Sequence, residues 1–175
     1  MEKLKFRLLA ADEIDVRIGT INANGATLLL YKDARCDMNI LDETVGAMNW
    51  QRTHSRENAN CIVSLWDDEK KQWISKEDTG TESFTEKEKG LASDSFKRAC
   101  FNWGIGRELY TSPFMYVPAE KMKIIEKNGK YSTYDKFKVE KIAYDEKKQI
   151  SGISIINQNG NRVFVFCKDK KGGKK

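Results

Sequence analysis

The chain has 175 residues, of which 39% are hydrophobic, 33% charged and 10% aromatic, with only two prolines. Such a composition supports a folded domain and excludes a disordered chain or a Pro-rich linker. The net charge is +5, but the tail from Lys168 to Lys175 carries +4 of it. Bulk charge therefore makes no case for nucleic-acid binding, and positive groups on the body would have to be gathered by the fold.

No apolar run approaches the ~18 residues of a membrane span. The first residues, MEKLKFRLLAADEID, turn acidic too early for a signal peptide. The expectation is a soluble cytoplasmic protein with no membrane partner.

Residues 1–12 read as a short arm. From Asp15 to Tyr31 the pattern predicts a hairpin, turned at Asn22-Ala23-Asn24-Gly25. Asn39 to Ala47 fits a short helix with Ile40, Leu41, Thr44 and Val45 on one side and Gly46 near its end. Three strands follow, Trp50–Ser55, Ala59–Trp66 and Gln72–Lys76, the last two joined by the turn Asp67-Asp68-Glu69-Lys70. Short polar connections imply an antiparallel meander.

Thr85-Glu86-Lys87-Glu88 has the form of a capping box. The helix it opens should run to Trp103 and stop at Gly104, a rod of roughly 27 Å. Pro113 and Pro118 flank an extended stretch. The last third alternates as strands over Phe137–Ala143, Gly152–Ile156 and Arg162–Phe166. The fold class is α+β: a β-β-β-α core with one long helix on an antiparallel sheet, an N-terminal hairpin and a C-terminal β appendage.

Most catalytic chemistries find no support. The single histidine, His54, argues against His-based triads and multi-His metal sites. Cys36, Cys61, Cys100 and Cys167 form no CxxC pair and read as packed thiols. There is no P-loop, and Gly104-Ile105-Gly106 follows a helix, where it serves as a stop and turn. Asp67, Asp68, Glu69 and Lys71 could mimic a carboxylate-plus-lysine nuclease site, but solvated turn charges are the default. No cofactor is expected, and no enzyme activity.

Projected at 100° per residue, the long helix puts Ala92, Phe96, Ala99, Cys100 and Trp103 on one side. The other side carries Lys87, Asp94, Lys97, Arg98 and Phe101. Phe101 follows Lys97 by four residues and Arg98 by three, so the three side chains are neighbours. A phenyl ring beside two cations suits single-stranded nucleic acid, with phosphates for the cations and base faces for the ring. Two plainer readings stand beside this one: a solvated Lys-Arg face, and a Phe101 buried by another element or subunit.

The run Asp94-Ser95-Phe96-Lys97-Arg98-Ala99-Cys100-Phe101-Asn102-Trp103-Gly104 resembles the signature helix of the Rad-fifty-two/Rad-twenty-two type single-strand annealing recombination proteins, bacteriophage members in particular. Tyr31, Asn39, Glu43, Gly46 and Trp50 occur in that family's order, and Asp78-Thr79-Gly80 resembles its acidic-x-Gly strand ending. The resemblance covers about residues 16–110.

It implies a homo-oligomeric ring that holds single-stranded DNA in an outer groove and anneals complementary strands without ATP, in phage recombination and DNA repair. A phage exonuclease and a host single-strand-binding protein would be partners, in the cytoplasm of a bacterial host. Lys97 and Arg98 match groove cations, Tyr31 a groove aromatic and Lys89 a lysine on a second, outer path. Arg17 matches a first-strand arginine if the hairpin carries an insertion. Arg35 and Lys87 are counted with them as candidate contacts. Where many relatives carry another arginine, this chain has Phe101.

The resulting division is an arm (1–12), a single-strand-binding annealing core (13–118), a β appendage of the same domain (119–167) and a basic tail (168–175). The rival readings are a non-annealing single-strand protector or adaptor, and a metal nuclease.

Overall fold

Antiparallel pairing, expected from the short polar connections, runs through every sheet of the computed structural model, which describes residues 4–81 and 87–168. Its elements fall into two units, Met1–Leu8 with Asp33–Arg107, and Leu9–Lys32 with Glu108–Lys175.

The first unit begins with helix α1, Ala34–Val45. Its start lies earlier than the apolar pattern indicated, because Asp33 caps it: the carboxylate accepts the Arg35 backbone N–H at 2.7 Å. Ile40 and Leu41 are fully buried, and Gly46 closes the helix at φ 85°. Strands β3 (Trp50–Ser55), β4 (Asn60–Asp67) and β5 (Gln72–Thr79) form a three-stranded meander, with β5 running three residues past its expected end. Residue pairs Trp50–Leu65, Arg52–Val63 and His54–Cys61 share a face with Ile74, Lys76 and Asp78.

On that face lies helix α2, Lys87–Trp103. Thr85 and Glu86 of the expected capping box lie outside the described residues. The helix buries Phe96, Ala99 and Cys100 as the projection required, together with Leu91 and Ser95. Burying a side chain of the size of Phe96 contributes ~1.5–3 kcal/mol. Phe96 stacks on Trp50, ring centroids 6.1 Å apart, and the Arg52 guanidinium covers its ring at 4.7 Å.

Two glycines make this packing possible. A Cβ on Gly80 would lie 2.6 Å from the Ser95 backbone nitrogen, so only glycine lets the end of β5 meet the helix backbone. Gly104, at φ 103°, ends α2 in a Schellman turn, with Gly104 N–H on the Phe101 carbonyl and Ile105 N–H on that of Cys100.

The second unit is built on a six-stranded sheet in the order β11-β10-β9-β1-β2-β6. Its strands are β1 (Ile14–Asn22), β2 (Gly25–Lys32), β6 (Met115–Pro118), β9 (Phe137–Tyr144), β10 (Ile150–Asn157) and β11 (Arg162–Cys167). Edge strands β6 and β11 approach each other, so the sheet nearly closes into a barrel around Leu28, Val117, Val139, Ile153 and Ile155. The linear division read from the sequence differs from this one. The hairpin shares its ladder with the C-terminal strands, because Asp15 pairs with Lys138.

A small hairpin, β7 (Ile125–Lys127) and β8 (Lys130–Ser132), was not expected. Its turn residues Asn128 and Gly129 stand at φ 54° and 73°, as a tight two-residue turn requires. Cys36, Cys61 and Cys100 are buried, but Cys167 is exposed on the edge strand β11, which corrects its reading as a packed thiol. Among the described residues no helix is long and apolar enough to cross a membrane.

Candidate nucleic-acid interface

The flank of α2 turned from the sheet carries Asp94, Lys97, Arg98 and Phe101 within the first unit. Asp94 is a structural anchor, accepting the Thr81 N–H at 2.9 Å and so holding the chain that leaves β5. Arg98 is exposed, and its Nε reaches Asp78 Oδ1 at 3.3 Å. The Asp78-Thr79-Gly80 motif thereby acquires a physical account. Asp78 binds Arg98 and the Asn102 amide, Thr79 donates its hydroxyl to Asn60, and Gly80 packs on the helix backbone.

Half-buried Lys97 differs from its neighbour: among the described residues it has no carboxylate within ion-pair distance. Its field does reach Asp33. That carboxyl is drawn down to about 2, chiefly by the Arg35 side-chain hydrogen bonds at 2.8 and 3.2 Å and the Arg35 backbone N–H, with Lys97 adding a smaller electrostatic pull. Arg35 is thus brought near Lys97 through Asp33, its guanidinium mostly exposed but engaged by that carboxylate.

Phe101 is half-buried, and its ring is covered by Arg107, whose guanidinium carbon stands 5.4 Å from the centroid. Arg107 also donates to the Phe101 and Asn102 carbonyls at 2.7 and 2.9 Å. Lys76 donates to the Asn102 carbonyl at 2.8 Å while lying 4.6 Å over the Trp103 ring. Two cations therefore satisfy the last carbonyls of α2 and favour its negative end. Trp103 donates its indole N–H to the Val63 carbonyl at 3.0 Å. Sequence reasoning missed Arg52, Lys76 and Arg107. The first two were detectable as period-two partners of Trp50 and Ile74, and the third as a cation just past a helix stop.

The upstream residues that matched the family pattern have local work of their own. Glu43 pairs with Arg7 at 2.5 Å, Gly46 closes α1, and Trp50 donates its indole N–H to Asp42 at 2.6 Å. In the second unit, Arg17 and Tyr31 are brought together across β1 and β2, the guanidinium 4.9 Å from the ring centroid on an exposed sheet face. The side chains of Lys87 and Lys89 lie outside the described residues.

The other candidate chemistries have weak geometry. Asp67 accepts the Glu69 and Lys70 N–H groups and pairs with the Lys70 ammonium at 3.2 Å, so its carboxylate builds the turn. Among the described residues no three potential metal ligands converge. His54 stands 3.4 Å from Ser95 Oγ, its pKa lowered by burial and by Arg52. Burial likewise pushes the Cys61 thiol up to about 11, so it is no nucleophile near neutral pH. No family model, curated protein or solved structure matches this chain.

Proposed function

We propose that the chain is an ATP-independent single-strand annealing protein of the Rad-fifty-two/Rad-twenty-two type, acting on unpaired DNA in phage recombination and repair. The observation that carries this reading is the outward flank of α2, where Lys97 lacks a carboxylate partner beside exposed Arg98 and a Phe101 ring layered with Arg107. Cations next to aromatic faces are what a single strand asks for.

The Arg98–Asp78 pair does not oppose this. Exposed pairs are worth only ~0.2–1 kcal/mol, so a phosphate can recruit Arg98 from Asp78 at little cost. Binding would neutralise phosphates and release counterions. A ring of protomers would sum weak contacts along one strand and present its bases for pairing. An exonuclease and a host single-strand-binding protein belong to the same proposal.

Complementary fluorescent strands test it. The wild-type protein should speed duplex formation, whereas a protector would slow it. Lys97→Ala with Arg98→Ala should abolish the acceleration while the thermal melt remains cooperative. A double variant that anneals at the wild-type rate across salt concentrations removes the α2 flank from the mechanism.

A further inference from the structure

The β7–β8 hairpin is a poor structural element by ordinary criteria. Each strand has three residues, and all of them are exposed. Two-stranded hairpins of this kind are marginal by themselves. Its tip makes matters worse, because Lys127 pairs directly with Lys130. Like charges facing each other across an antiparallel ladder repel.

The acids nearby do not relieve them. Glu126 accepts the Gly129 N–H at 2.8 Å. Asp135 accepts the Lys123 N–H at 2.6 Å and the Gln158 amide at 2.8 Å. Among the described residues, the ammonium groups of Lys123, Lys127, Lys130 and Lys136 have no carboxylate partner. Each carboxylate is spent on shaping the loop, and each ammonium is left over. Two aromatic rings stand among these charges, Tyr131 at 38% exposure and Tyr134 at 87%.

We infer that this hairpin is a second binding surface for single-stranded nucleic acid, separate from the α2 flank. Phosphates would bridge the facing Lys127 and Lys130 ammonium groups and remove their repulsion. Unpaired bases would stack on Tyr131 and Tyr134, a contact that a duplex or an acidic polypeptide cannot make. The inference does not depend on the α2 reading, since it uses other residues in the other unit. A protein with two such surfaces could hold one strand on each.

Fluorescence anisotropy on the full chain tests it, with labelled oligothymidylate, oligouridylate, a blunt duplex and polyglutamate as probes. Lys127→Ala with Lys130→Ala should lower the log-log salt slope for oligothymidylate by about 1.4, two phosphates' worth. Tyr131→Ala with Tyr134→Ala should weaken the same probe by roughly 5- to 150-fold at unchanged slope, and leave polyglutamate and duplex binding unaltered. The oligouridylate arm reports whether RNA is held equally.

Each pair is measured in the wild-type and Lys97→Ala backgrounds. If Lys97→Ala changes nothing while the hairpin pairs still weaken binding, the α2 reading falls and this inference stands. Wild-type affinity and slope in both hairpin variants would overturn it. So would a lysine effect of equal size on polyglutamate combined with no tyrosine effect.

Discussion

The α2 flank and the β7–β8 hairpin are both rich in cations and rings, yet they treat their cations in opposite ways. At the end of α2, Arg107 and Lys76 are tied to backbone carbonyls and cover Phe101 and Trp103. Arg98 is shared with Asp78. In the hairpin region the acids are bound to N–H groups and the lysines are left over. A cation held by a carbonyl or a ring is part of the fold, and only a cation without such a partner is free for a ligand. Counting lysines and arginines on a surface therefore overstates its capacity for phosphate.

The comparison can be broken by mutation. The largest effect should come from Phe96→Ala, which empties a fully buried site between Trp50 and Arg52 and should cost ~3–5 kcal/mol in a denaturant titration. Tyr134→Ala in the same titration should stay within ~0.5 kcal/mol, as a surface change does. A large loss for Tyr134→Ala would make the hairpin structural and erase the contrast.

Acid sensitivity sharpens it further. Glu140 is held down to about 2 from an ordinary 4.5, first by the Arg162 guanidinium and then by the Ser154 hydroxyl. A depressed carboxyl stabilises the fold fully above its unfolded value, so this contribution should fade as pH falls from about 4.5 toward 2. Glu140→Gln should be less stable at neutral pH and should show a flatter decline through that window in a pH series of melts. An unchanged slope would mean that the clamp does not act on stability.

Much of the first unit was legible in sequence. The meander and α2 announce themselves through periods of two and 3.6 residues, and the 100° projection put Phe96, Ala99 and Cys100 inside. The start of α1 was less visible, because its cap, Asp33, directly follows the strand residues Tyr31 and Lys32. Hairpin β7–β8 escaped because three exposed residues per strand carry no alternation, although Asn128-Gly129 was there to be read. The ladder between β1 and β9 joins Asp15 to Lys138, a separation that no local pattern encodes.

The site followed the same rule. Lys97, Arg98 and Phe101 are neighbours by helical spacing alone, and Arg17 with Tyr31 by hairpin register. Asp78 as the partner of Arg98, and Arg107 as the cover of Phe101, are consequences of chain reversal and packing. Those contacts decide which cations remain available.

The central claim is that Lys97 meets a phosphate while Arg98 is held in part by Asp78. Salt titration of oligothymidylate binding on wild type, Lys97→Ala and Asp78→Asn tests it most directly. Lys97→Ala should lower the log-log slope by about 0.7, and Asp78→Asn, which frees Arg98, should tighten binding. A wild-type slope for Lys97→Ala, together with weaker binding by Asp78→Asn, would contradict the account.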